Sequence, residues 1–186
     1  LVEGGEGVTR SPRHLTDSRS HAEIRFDAAP ADQLAGSEDL LTQVTDRAAI
    51  AAAAEMLGMA EAAFAQTNDY LKTRVQFGQV LASFQALQHR MAKMFTELEL
   101  MRSAVEAALE AADSGRADIR QEASLAKALA NETLHLVSRE MVQLHGGIGM
   151  TDEHDAGFYL KRARVLEQMW GNAAWHRDRF ARLNGY

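Results

Sequence analysis

The sequence predicts a mostly α-helical protein: a four-helix up-down bundle preceded by a short β-segment. Two observations support this fold class. Both prolines, Pro12 and Pro30, lie near the start, and no proline follows Pro30. Beyond residue 36, apolar side chains recur every three or four residues, which is the period of a helix face, and glycines separate the periodic stretches. At 186 residues the chain is long enough to bury a sizeable core.

Residues 1–36 are expected to form the β-segment and a linker, and residues 37–186 the helical bundle. Residues 8–26 are typical of short extended segments, and AEIRF at 22–26 alternates like a half-buried strand. One or two strands do not form a stable sheet alone, so the other strands are expected outside this sequence. The sequence also begins without methionine, which indicates a fragment.

Five helices are expected, and their boundaries follow from capping and turn residues. The first begins near Ser37, with Ser37 as N-cap and Glu38 and Asp39 in its first turn, and ends near Phe77-Gly78. The second alternates apolar steps of three and four, the seam of a four-helix bundle, and the third is apolar on two faces. The later helices are expected at 83–112, 119–144, 156–167 and 172–183.

Composition narrows the possible function classes. The chain has no cysteine, which excludes disulfides, thiolate metal sites and a cysteine nucleophile. Its net charge of -6 disfavours a nucleic-acid partner. The start lacks the layout of a signal peptide, and no uninterrupted apolar run has the length of a membrane span. A cytoplasmic location without a membrane partner is therefore expected. The seven histidines show no ligand spacing, so no metal site is expected.

The first functional motif is RVQFG at residues 74–78, followed by Phe84-Gln85 at the start of the second helix. Taken alone, these residues have ordinary structural roles. Arg74 is a cation at a helix C-terminus, Gly78 is a C-cap, and Phe84 belongs to the core.

The second motif is QLHGGIG at residues 143–149, at the end of the third helix. It is compatible with a simple helix stop. Three glycines within four residues exceed what a C-cap needs, however. They indicate close approach of the backbone to a flat or phosphate-bearing group.

In this order, with a long helix between them, the two motifs resemble those of the acyl-CoA dehydrogenase family. The resemblance covers residues 8–186 and implies the end of the family's middle β-domain followed by its four-helix C-terminal domain. It also implies FAD as cofactor, an acyl-CoA thioester as substrate and electron-transfer flavoprotein as acceptor. Because family members share each FAD between subunits, the resemblance further implies a homo- or heterotetramer.

The resemblance assigns the cofactor-binding residues. Arg74 matches the arginine that binds the FAD pyrophosphate of a neighbouring subunit, a task suited to a bidentate guanidinium. The residues near Arg74 match contacts to the same flavin, and the glycine loop matches the segment along its ADP part. The predicted set is Arg74, Gln76, Phe77, Phe84, Gln143, His145, Gly146, Gly147 and Asn172.

The sequence departs from the family at the catalytic base. The family's reaction needs a carboxylate to remove the α-proton while the β-hydride passes to flavin N5. Spacing from the glycine loop places Trp170 where most members have this glutamate, and indole accepts no proton near neutral pH. A minority of members carry it on the first long helix, where Ala48 stands. A smaller departure is Lys161-Arg162, where many members have Arg-Asp.

Asp46 and Glu167 are the remaining candidates for the base. Asp46 lies two residues from Ala48, which rotates its side chain by about 200° on a helix. The alternative for Asp46 is a first-turn carboxylate that complements the helix dipole. Glu167 lies one turn before Trp170, and its alternative is a surface or ion-pair residue.

Three hypotheses about function stay open. In the first, the chain is one subunit of a heteromeric acyl-CoA dehydrogenase, resembling a bacterial subgroup of heterotetramers, and a partner chain supplies the base. In the second, Asp46 makes the chain self-sufficient. In the third, the chain is an inactive homologue that acts as a scaffold or CoA-binding module. Two explanations also remain for the alanines at 48–54: room for a bulky acyl group, or tight helix packing.

Overall fold

The computed structural model describes residues 1–36 and 38–186 and confirms a mostly helical fold after a β-segment. An antiparallel strand pair comes first, a second, very short pair follows the first helix, and single 3-10 turns lie at 81–83 and 146–150. The strands are β1 (Val8–His14), β2 (Ser20–Phe26), β3 (Val75–Gln76) and β4 (Gln79–Val80). The helices are α1 (Glu38–Thr73), α2 (Gln85–Ser114), α3 (Ile119–His145), α4 (Ala156–Leu166) and α5 (Ala173–Leu183).

Helix α3 lies at the centre of the bundle, in contact with α1, α2, α4 and α5. This position agrees with the two apolar faces predicted from its sequence. Large side chains such as Met56, Met101 and Leu134 have no exposed surface. Small residues between them bring the helix backbones together, and three of the alanines at 48–54 belong to this buried set: Ala49, Ala52 and Ala53. Tight packing therefore accounts for part of the alanine-rich stretch.

The predicted end of the first helix at Phe77-Gly78 is wrong. Helix α1 ends at Thr73, and β3 then turns back on β4 with Val75 opposite Val80. Phe77 and Gly78 form the turn, with φ of 54° and 80°. Two consecutive left-handed residues make the tight turn that matches the twist of a β-hairpin. Gly78 thus serves a hairpin rather than a helix cap.

The remaining boundaries are close to those predicted. Gly115, with φ of 65°, ends α2 in the left-handed conformation. Asn172 is the N-cap of α5, where its Oδ1 accepts the N–H of Trp175 at 2.9 Å. The predicted N-cap at Ser37 and the side chain of Glu38 lie outside the described residues. Asp39 forms an ion pair with Arg120 of α3.

The β1–β2 hairpin presents an uncovered apolar face. Ile24 is 50% exposed and Phe26 is 58% exposed, so the half-buried pattern predicted for residues 22–26 is not realised within the described chain. Within residues 1–36 and 38–186, β1 and β2 pair only with each other, from Val8–Phe26 to His14–Ser20.

A buried arginine ties the turn of this hairpin to the bundle. Arg162 of α4 donates to Asp17 in the turn at 2.7 Å and to both oxygens of Glu55 on α1 at 2.8 and 2.9 Å. Its side chain is 11% exposed and that of Asp17 only 2%. Burial raises the pKa of Asp17, but the hydrogen bonds from Arg162 and from the N–H of Arg19, together with the charge of Arg162, outweigh it, and the net pKa is lowered. Arg162, at one of the positions where the sequence departs from the family, therefore holds the β1–β2 hairpin to the bundle.

Helix α1 is also long and apolar enough to cross a membrane, by length and composition alone. This is weak support for a membrane span, because core helices of bundles pass the same test. Here α1 buries Ile50, Met56 and Leu71 in the bundle core.

Candidate functional site

Seven of the nine predicted cofactor residues line one cavity of about 300 Å³. It lies where the end of α1, the β3–β4 turn and the start of α2 meet the end of α3. The two motifs, distant in the sequence, are thus neighbours in the fold. The predicted residues that line the cavity are Arg74, Gln76, Phe77, Gln143, His145, Gly146 and Gly147. Sequence analysis missed the other lining residues, which are Tyr70, Leu81, Leu87, Arg90 and Leu144.

Arg74 has no carboxylate partner within 4.0 Å among the side chains that the structure describes. Its neighbour Arg90, in contrast, is held by Glu140 through two hydrogen bonds of 2.6 and 2.9 Å. Arg74 is exposed, and its carbonyl accepts the N–H of Leu81 at 2.9 Å, which fixes its backbone at the base of the hairpin. Its guanidinium is therefore free to bind an anion bidentately.

Phe77 projects from the tip of the hairpin turn. Its side chain is 86% exposed, and its ring meets the edge of Phe84 with 6.1 Å between centroids. Phe84 does not line the cavity itself but supports Phe77 from the start of α2. The turn therefore presents an uncovered aromatic face beside the free guanidinium of Arg74.

The three glycines of the second motif have different roles. Gly146 has φ of 65° and ψ of -137°, a conformation that side-chain-bearing residues rarely adopt. Gly149 is packed so closely that a Cβ would lie 2.7 Å from the carbonyl oxygen of Val142. A Cβ on Gly147 would meet nothing within 4 Å. Gly146 and Gly149 are thus needed by the fold, whereas Gly147 faces open space beside the cavity.

The side chain of His145 is buried beneath the glycine loop. Its ring is stacked on Tyr70 and tilted against His154, each with 4.3 Å between centroids, and the residue is 4% exposed. Nδ1 donates to the carbonyl of Met141 at 2.7 Å, and the Tyr70 hydroxyl donates to the His145 carbonyl at 3.3 Å. Burial lowers the pKa of His145 and favours the neutral ring. The ring therefore fixes the glycine loop rather than offering a charge.

Asn172 lies apart from the other predicted cofactor-binding residues. It borders a second cavity, of about 340 Å³, between α3 and the segment that joins α4 to α5. Glu167 lines the same cavity, 13% exposed, and pairs with Arg164 at 2.7 Å and His135 at 3.3 Å. The ion-pair role weighed for Glu167 fits this arrangement.

The resemblance places the family's base at Trp170 or at Ala48, and neither residue lines the cavity beside Arg74. Trp170 lies between α4 and α5, 47% exposed and left-handed with φ of 60°. Ala48 is partly buried on α1.

The interpretation of Asp46 as a first-turn carboxylate is wrong, because α1 begins at Glu38 and Asp46 lies about two turns in. Asp46 is 3% exposed and pairs with Arg179 of α5, with distances of 2.6 Å to Oδ1 and 3.0 Å to Oδ2. Arg179 also donates to the Ser124 hydroxyl at 3.1 Å. Both carboxylate oxygens of Asp46 are therefore engaged.

His176 should make the protein sensitive to acid. Burial lowers its pKa to about 4, the charges of Lys127 and Arg179 add to this, and its Nδ1 has no hydrogen-bond partner in the described structure. Between pH 6.5 and 4 the unfolded chain binds a proton here that the folded chain does not, so stability should fall as pH falls.

We expect His176→Gln to remove a slope of up to about 1.4 kcal/mol per pH unit from the free energy of unfolding. Urea denaturation between pH 7 and pH 4 measures this slope, and His89→Gln, at an exposed histidine of α2, is the matched control. Equal slopes in wild type and His176→Gln would refute the assignment.

The family model described as "Acyl-CoA dehydrogenase, C-terminal domain" matches residues 36–183. The chain belongs to the acyl-CoA dehydrogenase family. Among curated relatives, acyl-CoA dehydrogenase IpdE2 of Mycobacterium tuberculosis is 42% identical over 126 residues, which are 68% of this chain and 38% of that protein.

Solved structures of the family have the same fold. The ChsE4-ChsE5 complex from Mycobacterium tuberculosis matches 98% of this chain and 50% of its own, with a TM-score of 0.91 and 25% identity. A variant of the Tcur3481-Tcur3483 steroid ACAD matches 97% of this chain and 49% of its own, with a TM-score of 0.90 and 32% identity. The chain thus spans less than half of the length of IpdE2 and about half of the length of these two solved chains.

Proposed function

We propose that this chain is the C-terminal helical part of an FAD-dependent acyl-CoA dehydrogenase and completes an FAD site shared with a neighbouring chain. The cavity between the hairpin and the glycine loop carries this proposal. It joins an arginine without a described carboxylate partner, an exposed aromatic ring and an open glycine backbone at one place. When bound, FAD would accept the hydride from the β-carbon of an acyl-CoA thioester.

The residues present fit the diphosphate end of FAD. Arg74 is free for bidentate binding of phosphate oxygens, and the open backbone at Gly147 allows close approach. A cavity of about 300 Å³ is at the lower limit for a drug-sized ligand and too small for a whole dinucleotide. We therefore infer that the rest of the cofactor contacts another chain or domain.

The position of Asn172 supports an FAD site that is shared between two chains. Asn172 borders a different cavity from Arg74, so one chain offers two separate contact regions. Two regions on one chain suit an assembly in which each FAD bridges neighbours. The tetramer implied by the resemblance is part of this proposal.

We further propose that a partner chain supplies the catalytic base. Trp170 and Ala48 provide no carboxylate, and Asp46 is tied to Arg179. The ChsE4-ChsE5 complex and Tcur3481-Tcur3483 are each named after two different proteins. We extend an assembly of two different chains to this protein. We also propose that the substrate is an acyl-CoA thioester, that electron-transfer flavoprotein is the electron acceptor and that the protein is cytoplasmic.

Co-expression with the products of neighbouring genes tests the proposal. The purified complex should show the visible absorbance of oxidised flavin and should reduce an artificial acceptor with at least one CoA thioester of a panel. The chain alone should be inactive. Turnover by the chain alone would overturn the partner-supplied base. A protein that stays colourless with every partner would favour the alternative, a scaffold or CoA-binding module.

A further inference from the structure

A fully buried lysine lies behind the segment that carries Trp170. Lys127 of α3 has no exposed surface, and no described carboxylate lies within 4.0 Å of its Nζ. Nζ donates to three oxygens instead: Oδ1 of Asn131 at 2.6 Å, the carbonyl of Leu166 at 3.0 Å and the carbonyl of Gly171 at 3.1 Å. An ammonium has three protons, so these acceptors use its whole donor capacity.

The two carbonyl oxygens lie at the two ends of the connection between α4 and α5, residues 167–172, which we call the α4–α5 loop. Leu166 is the last residue of α4, and Gly171 directly precedes the N-cap of α5. Asn131 adds a bond from Nδ2 to the Gly171 carbonyl at 3.3 Å, and His176 donates to the Trp170 carbonyl at 2.8 Å. Donors from α3 and α5 thus fix both ends of the loop.

The loop needs such a restraint because its backbone is unfavourable. Trp170 has φ of 60°, a left-handed conformation that is unfavourable for a residue with a side chain. Gly171 has φ of 103°, and a Cβ there would lie 2.7 Å from the Trp175 ring and 2.9 Å from His176. A left-handed tryptophan persists only where the surroundings impose it.

The charge of Lys127 is costly at this position. Burial lowers its pKa to about 8, and only Glu167 opposes this shift. An apolar side chain of similar length would fill the same space without that cost. What distinguishes lysine here is its ability to bind three oxygens at once, two of them at the ends of one loop.

We propose that Lys127 is a positioning residue that holds the α4–α5 loop by its main-chain carbonyls. In doing so it fixes the left-handed conformation of Trp170 and the place of Asn172 beside the second cavity. The hydrogen bonds of Lys127 lie entirely within this chain. A fixed orientation of Trp170 and Asn172 toward a bound flavin would follow from them and rests on the proposed function.

The fluorescence of Trp170 tests this proposal without flavin. The chain has two tryptophans, so Trp175→Phe leaves Trp170 as the sole reporter. In that background Lys127→Met should raise acrylamide quenching of Trp170 at least about twofold, as expected for a loop released to solvent. Lys93→Met, at an exposed lysine of α2, should leave quenching unchanged. Unchanged quenching in a folded Lys127→Met protein would overturn the proposal.

A pH titration supplies a second measurement that remains decisive if Lys127→Met does not fold. Above pH 8 the amine keeps two protons for three acceptors, so quenching in the Trp175→Phe protein should rise between pH 7 and pH 9.5. A flat profile would overturn the proposal, and the Lys93→Met variant should show the same rise. A protein that binds no flavin can still show this rise in quenching. Failure of the proposed function is therefore distinguishable from failure of the role proposed for Lys127. Glu167 of the loop and His176 of α5 interact with the charge of Lys127, and Arg179 of α5 and Asp46 of α1 interact in turn with His176.

Discussion

Replacement of Asp46 by alanine is expected to lower the free energy of unfolding by about 3–5 kcal/mol. The change would leave the guanidinium of Arg179, which is 13% exposed, without its carboxylate partner. The remaining contacts of Arg179 are the Ser124 hydroxyl and the face of Trp175, 5.5 Å from the ring centroid, and neither balances a buried charge. Urea denaturation followed by circular dichroism measures the loss.

Two further variants test the reason for this loss. Replacing both partners, Asp46→Leu with Arg179→Met, should recover most of it, because a buried ion pair can often be exchanged for apolar packing. The matched control is Asp178→Ala, which breaks an exposed pair with Arg182 on α5 and should cost less than about 1 kcal/mol. A loss in Asp46→Ala no larger than in Asp178→Ala would show that the α1–α5 pair contributes little.

The same position separates two accounts of catalysis. If Asp46 were the base, Asp46→Asn would abolish turnover of the assembled enzyme while the protein kept its flavin. We expect instead that turnover per folded molecule is retained in Asp46→Asn, because both carboxylate oxygens already bind Arg179.

The second large effect is expected at Arg74. Arg74→Met should weaken FAD binding by the assembled protein about 100-fold, since two charge-assisted hydrogen bonds to phosphate contribute about 3 kcal/mol together. Titration of the flavin-free assembly with FAD, followed by flavin fluorescence, measures the dissociation constant. Arg25→Met, at an exposed arginine of the β1–β2 hairpin, is the control and should leave it unchanged. Equal effects of the two substitutions would argue against a specific role for Arg74.

The helices could be predicted from the sequence because their signals are local. Apolar periodicity and the glycine at position 115 placed α2, α3, α4 and α5 close to their observed limits. The β3–β4 hairpin was missed because nothing local favours a left-handed phenylalanine at Phe77, and Gly78 suits a helix end equally well. The partner of Asp46 was missed because α5 approaches α1 only in the folded bundle.

The site was predictable only in part, for related reasons. The two motifs could be paired through the family resemblance, whereas spacing alone does not show that the end of α1 meets the end of α3. Nor could spacing show that Asn172 borders a separate cavity. Lys127 gave no signal, since a lysine in a helical pattern is expected at the surface. Its burial depends on three oxygens that only the folded chain brings together.

The most direct test of the shared FAD site is the amount of FAD bound per chain in an assembly that carries Gly147→Leu. A Cβ at Gly147 would meet nothing within 4 Å in this chain, so a side chain there starts into open space beside the cavity and folding should be preserved. Gly58→Leu, at an exposed glycine of α1 with equally open surroundings, is the control. We predict that Gly147→Leu folds and assembles as Gly58→Leu does, with the same circular dichroism spectrum, but has lost its FAD. A Gly147→Leu assembly with a full complement of FAD would contradict the proposed site.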